Sequence, residues 1–130
     1  MKLGILGGGQ LGRMLALAAQ PLGIQVTVID PNADTPARVV ARHIHAEYDD
    51  SQALAELGTQ SDVVTFEFEN VPDVVAQKLL DRCPVYPSPE ALRVAQDRFL
   101  EKSTFRELGI ATADFVRIDS QEDVEKAFAE

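Results

Sequence analysis

The chain has 130 residues, 45% of them hydrophobic, with twelve Lys and Arg against twenty-one Asp and Glu for a formal charge of −9. That length suits one α/β domain with an appendage, and the acidic balance argues against a general nucleic-acid or anionic-membrane surface, which needs clustered cations. Cys83 is the only cysteine, so an intramolecular disulfide and a thiolate metal site are excluded.

The N-terminus carries one lysine and a very short apolar run that stops at glycine. It reads as neither a signal peptide nor a membrane span, so a cytoplasmic enzyme domain is expected. Residues 2–7 predict a buried first strand, and residues 10–22 a helix with Leu11, Met14, Leu15 and Ala18 on its apolar face and Gly23 as its stop. Residues 24–29 are β-branched and apolar, as in a strand covered on both faces, and end at the turn Asp30-Pro31-Asn32. A short helix over 36–41 and a short strand over 44–46 follow. Residues 50–57 then predict a helix with Asp50 or Ser51 as N-cap and Gly58 as its stop. Residues 61–68 read as a strand, 71–82 as a helix and 85–86 as a short fifth strand. Cys83 lies just before that last stretch and reads as a small packed side chain. Strands alternating with helices in this way predict a doubly wound parallel sheet, a Rossmann-like α/β domain over residues 1–88.

The pattern changes after Pro87-Ser88-Pro89. Residues 90–96 and 98–108 read as helices, Gly109 as a C-cap, 115–118 as strand-like and 121–129 as helical. Residues 89–130 therefore read as linker helices and the truncated start of a second module. Leu92, Phe99, Phe105, Phe115 and Phe128 within them would normally bury against something.

Three constellations could carry chemistry. Gly7-x-Gly9-x-x-Gly12 after a strand and before a helix brings backbone amides near a ligand. A dinucleotide site would add an acidic residue about twenty positions on, where Asp30 stands, although Asp-Pro-Asn is also an ordinary turn in which Asp bonds its own backbone. Thr65-Phe66-Glu67-Phe68-Glu69-Asn70 lies at the carboxyl end of the fourth strand, where ligands gather in parallel sheets. Strand alternation would put Glu67 and Glu69 on one face and both phenyl rings on the other. A carboxylate there can accept two hydrogen bonds from a ribose diol, or it can cap the helix that follows. Arg98 is either an exposed helix charge or a phosphate contact. His43 and His45 share a strand face but lack a third metal ligand, so a structural or solvated role is expected.

Gly-Gly-Gly-Gln-Leu-Gly-Arg-Met (7–14), Phe-Glu-Phe-Glu-Asn-Val-Pro (66–72) and Gln-Asp-Arg-Phe-Leu-Glu-Lys (96–102) occur in order along the chain. Together they resemble the N-terminal part of the 5-(carboxyamino)imidazole ribonucleotide synthetase family, ATP-grasp enzymes of purine biosynthesis. The resemblance implies that ATP and bicarbonate form carboxyphosphate, which carboxylates the exocyclic amine of 5-aminoimidazole ribonucleotide, with magnesium supporting phosphoryl transfer. By motif position it implies that Gln10, Leu11 and Glu67 bind the ribonucleotide and Arg98 contacts ATP phosphates, with Asn70 orienting Glu67 or Glu69. It also implies a homodimer in the intact enzyme. The catalytic residues and metal-binding carboxylates are expected in parts that residues 1–130 do not contain, so the chain is expected to be a fragment, inactive alone. The alternative reading is a free-standing Rossmann domain that binds NAD or NADP.

Overall fold

Apolar runs alternating with amphipathic stretches build four parallel strands in the computed structural model, which describes residues 1–128. These are β1 (Lys2–Leu6), β2 (Gln25–Asp30), β3 (Arg42–His45) and β4 (Val63–Phe66), in the order β3-β2-β1-β4. The helices are α1 (Gln10–Ala19), α2 (Ser51–Gln60), α3 (Asp73–Leu80), α4 (Pro89–Gln96), α5 (Arg98–Glu107) and α6 (Gln121–Ala127). The chain divides into two compact units, Met1–Arg93 and Val94–Glu130.

In the first unit, successive strand residues point to opposite faces and so feed two separate cores. Ile5, Val26 and Val28 pack with Ala16 and Ala19 of α1 and with Ala37. Leu6, Ile29 and Val64 pack with Leu54 and Leu57 of α2, Val75 and Leu79 of α3 and Leu92 of α4. Each such leucine, fully buried, contributes about 2–3 kcal/mol of transfer free energy. This is the doubly wound arrangement expected of parallel strands covered on both faces. Connections leave β1 on one side toward β2 and return across it to β4, so the strand order reverses between β1 and β4. In open parallel sheets that reversal is where ligands bind.

Several expectations need correction. The first helix ends at Ala19, and residues 20–22 tighten into a 3-10 turn because Pro21 cannot donate to an α-helical ladder. Its buried face is Gly12, Ala16 and Ala19, while Leu11 (56% exposed), Met14 (63%) and Leu15 (41%) face outward, as does Ala18. The helix lies so close to the β1 turn that a Cβ on Gly12 would sit 2.6 Å from the Gly7 carbonyl oxygen, so only small residues fit the contact. Residues 36–39 likewise form a 3-10 turn, and β3 begins at Arg42.

Asp50 caps α2 by accepting from the Gln52 and Ala53 amides, but Gly58 does not stop that helix. It sits inside it, where a Cβ would press on the Arg82 side chain at 3.0 Å. β4 is confined to four residues. The helix after it starts at Asp73, beyond the Pro72 N-cap, and ends at Leu80. The expected fifth strand is reduced to one bridge, Val85 to Val64.

In the second unit, Asp97 caps α5 by accepting from the Leu100 amide at 2.7 Å, and Gly109 follows at φ 74°. Residues 115–118 form no strand, because a strand needs a partner and none pairs with them among the described residues. The segment is instead held by rings: Phe115 meets Phe99 edge-on at 5.6 Å, and the Arg106 guanidinium lies 4.2 Å from the Phe115 centroid. Ser120 caps α6, whose expected end at Ala129 lies outside the described residues.

Candidate functional site

Strand register fixes the site. Leu6 of β1 pairs with Ile29 of β2 on one side and with Phe66 of β4 on the other. The next residue of each strand path is therefore level: Gly7 in the middle, Asp30 and Glu67 to either side. The Gly7 amide donates to the Ile29 carbonyl at 2.9 Å and the Glu67 amide to the Leu6 carbonyl at 3.1 Å, which continues the ladder to this row. There the chain turns at Gly7 with φ +104°, a conformation that only glycine adopts readily, and a Cβ at Gly7 would overlap the Glu67 side chain.

Two carboxylates grip this turn from opposite sides. Asp30 accepts from the Gly8 amide at 2.8 Å and, through its other oxygen, from the Asn32 amide at 2.8 Å. The second bond is the turn in which Asp bonds its own backbone. Glu67 accepts from the Gly9 amide at 2.8 Å and from the Gly12 amide through its second oxygen. Gly9 is the N-cap of α1 and Gly12 its third residue, the two positions that a capping box satisfies with their own side chains. Neither glycine has one. A single carboxylate more than fifty residues away in sequence takes both bonds and places a negative charge at the positive end of the helix.

The amides of Gln10 and Leu11, between those two glycines, make no hydrogen bond to any described residue, and both residues are exposed. They are orphan donors of a helix first turn, pointing beyond the carboxyl ends of the strands. The structure therefore brings Gln10, Leu11 and Glu67 together. Expected strand alternation does not hold for the carboxylates, since β4 ends at Phe66 and residues 67–70 are a bend and turn. Glu67 caps α1 rather than the helix that follows it, while Glu69 is exposed. Phe66 and Phe68 pack against the same core. Asn70 is exposed and makes no hydrogen bond to Glu67 among the described residues.

The sequence reading missed Tyr48. Its hydroxyl donates to Asp30 at 3.3 Å and its ring meets Phe68 at 5.7 Å. Burial, then the Asp30 charge, push its phenol above the ordinary tyrosine range. Its position just past the carboxyl end of β3 was the signal available. His43 and His45 serve the same edge as donors to backbone: their Nε2 atoms lie 3.0 Å from the Asp30 and Pro31 carbonyl oxygens. Among the described residues no group of three or more His, Cys, Asp or Glu could hold a metal ion.

Arg98 belongs to the second unit. It opens α5, pairs with Glu101 one turn on, and leaves its side chain 81% exposed. It lines a cleft of about 610 Å³ with Phe99, Lys102, Phe115, Arg117 and Asp119.

The N5-carboxyaminoimidazole ribonucleotide synthase of Pseudomonas aeruginosa is 50% identical over 129 residues, which are 99% of this chain and 36% of that one. The crystal structure of N5-carboxyaminoimidazole ribonucleotide synthetase from Thermus thermophilus superposes with a TM-score of 0.90 at 46% identity, covering 98% of this chain and 35% of that one. An Aspergillus clavatus N5-carboxyaminoimidazole synthase, solved in complex with ADP and 5-aminoimidazole ribonucleotide, matches with a TM-score of 0.76 at 36% identity over 87% of this chain and 31% of that one. The chain thus spans about a third of the length of the relatives it matches. Residues 1–96 match the family model described as the ribonucleotide synthetase preATP-grasp domain, and the chain belongs to that family.

Proposed function

We propose that this chain supplies the ribonucleotide-binding wall of an ATP-dependent carboxylating ligase of purine biosynthesis. The reaction is carboxylation of 5-aminoimidazole ribonucleotide by bicarbonate and ATP, through carboxyphosphate, to 5-(carboxyamino)imidazole ribonucleotide. The observation that carries this reading is the pair of unpartnered amides at Gln10 and Leu11, held open by Glu67 at the point where the strand order reverses. These amides donate to sugar oxygens of the ribonucleotide rather than to its phosphate, which the Glu67 carboxylate would repel. Glu67 uses one lone pair on each oxygen for the turn and keeps acceptor capacity for a ribose hydroxyl. Relatives solved with ADP, or with ADP and 5-aminoimidazole ribonucleotide, support the ligand classes.

The second unit is proposed as the beginning of the ATP-grasp module, with Arg98 leaving Glu101 to meet ATP phosphates. Magnesium is proposed to bind mainly to parts of the intact enzyme that residues 1–130 do not contain. The intact enzyme is proposed to be a cytoplasmic homodimer. The 130-residue chain alone is proposed to bind ribonucleotide weakly and to turn nothing over, since its relatives are about three times as long.

The dinucleotide alternative fares worse on the same geometry. A pyrophosphate would need the helix N-terminus that Glu67 fills, and its carboxylate would repel the phosphates. Asp30, the residue a cofactor ribose would need, is buried and committed to Gly8, Asn32 and Tyr48. Calorimetric titration of the chain with 5-aminoimidazole ribonucleotide, NAD and NADP tests the choice. Heat from the ribonucleotide alone is expected; micromolar NAD binding without a ribonucleotide response would overturn the proposal.

A further inference from the structure

Asp30, at the end of β2, and Glu67, just past β4, hold the glycine turn from opposite sides. The ladder joins both to β1, and among the described residues no backbone hydrogen bond spans directly from one arm to the other. The Tyr48 side chain does. Its hydroxyl donates to the same Asp30 oxygen that accepts from the Gly8 amide, at 3.3 and 2.8 Å respectively. Its ring packs on Phe68, the residue next to Glu67, with centroids 5.7 Å apart and planes inclined by 60°. One side chain thus meets the Asp30 arm with its hydroxyl and the Glu67 arm with its ring.

We infer that Tyr48 is a positioning residue for the ligand site: it ties the Asp30 and Glu67 arms together and so sets the glycine turn in the conformation that presents the Gln10 and Leu11 amides. The inference rests on the ribonucleotide reading above for the identity of the ligand, but not for the effect on the turn. Tyr48 need not touch the ligand. Its phenol suits the task because it remains a neutral donor: burial and the Asp30 and Glu67 charges all oppose its ionisation. The Asp30 bond is long for an O–H···O contact, so its share of the positioning is modest.

The test compares wild type, Tyr48→Phe and Asp30→Asn, alone and combined, in the 130-residue chain. Hydrogen exchange at the Gly8 amide is read by NMR, and affinity for 5-aminoimidazole ribonucleotide by calorimetry. Tyr48→Phe keeps the ring and loses the hydroxyl. It is expected to speed Gly8 exchange and weaken ligand binding by about threefold to tenfold, the scale of one ordinary hydrogen bond. Thermal unfolding should hardly move. In the Asp30→Asn background the same change is expected to add nothing, because the path runs through Asp30. Unchanged Gly8 exchange in Tyr48→Phe overturns the inference, as does an equal effect in the Asp30→Asn background. If Gly8 responds as expected while wild type binds no ribonucleotide, the positioning role stands and the ribonucleotide reading falls.

Discussion

Two positive-φ glycines, Gly7 in the first unit and Gly109 in the second, stand in opposite surroundings. Gly7 turns at φ 104° with Glu67 packed where its Cβ would be, whereas Gly109 turns at φ 74° with nothing within 4 Å. The contrast extends to the cores. The first unit buries Ile5, Leu6, Ile29, Leu57 and Val64 completely, while α5 and α6 bury none of their described residues and leave Phe99 and Phe105 39% and 38% exposed. In the first unit a turn is fixed by residues distant in sequence; in the second, structure rests on local caps and ring contacts. Precise placement of backbone amides belongs to the first kind of surroundings.

Substitutions can break that contrast, beginning with the glycines. Gly7→Ala combines forbidden backbone geometry with overlap on Glu67 and is expected to cost about 4 kcal/mol. Gly109→Ala carries only the backbone strain, about 1 kcal/mol. Paired urea unfolding curves measure both, and equal losses would contradict the account. Next, Leu57→Ala is expected to cost about 3 kcal/mol by opening a cavity, against less than about 1 kcal/mol for Phe105→Ala, whose ring is partly in water already. Thermal midpoints of the two variants provide the check.

A smaller effect sharpens the site itself. Glu67→Gln replaces an acceptor oxygen with an NH2 that faces an amide donor, at Gly9 or at Gly12. About 2 kcal/mol of stability should go, and ribonucleotide binding with it. Chemical denaturation and calorimetry read the two separately; a variant that keeps full affinity would remove Glu67 from the site.

The smallest effect is in pH. Tyr48 holds its proton more tightly in the folded chain than tyrosine does unfolded. Below the ordinary tyrosine value of about 10 both states keep the proton and nothing changes. Above it the unfolded chain releases first, so stability falls as pH rises toward the folded value. The phenol is only partly buried, and solvent screening keeps the loss below about 1 kcal/mol. Urea midpoints from about pH 8 to about pH 11 should decline less steeply in Tyr48→Phe than in wild type.

What was legible in the sequence was local. The strand-glycine-helix passage at residues 2–19, the Asp50 cap and the positive-φ glycines at 23 and 109 follow from neighbours a few positions apart. The outward face of α1 was not legible. Leu11, Met14 and Leu15 form the more apolar stripe, yet Gly12, Ala16 and Ala19 are buried because close approach to the sheet rewards small size over hydrophobicity. Nor could residues 115–118 be separated from a strand, since pairing depends on a partner that periodicity does not reveal. At the site, the three glycines and Glu67 were visible as residues worth attention. Their mutual bonds, across more than fifty positions, and the part played by Tyr48 needed the register of β1 against β2 and β4.

Amide chemical shifts during a titration of the chain with 5-aminoimidazole ribonucleotide test the central claim most directly. The account predicts saturable shifts largest at Gln10 and Leu11, with smaller ones at Gly9 and Gly12 as Glu67 adjusts, and no such pattern with NAD. Shifts absent from the Gly7–Gly12 segment while the ligand binds elsewhere, or the same pattern produced by NAD, would contradict it.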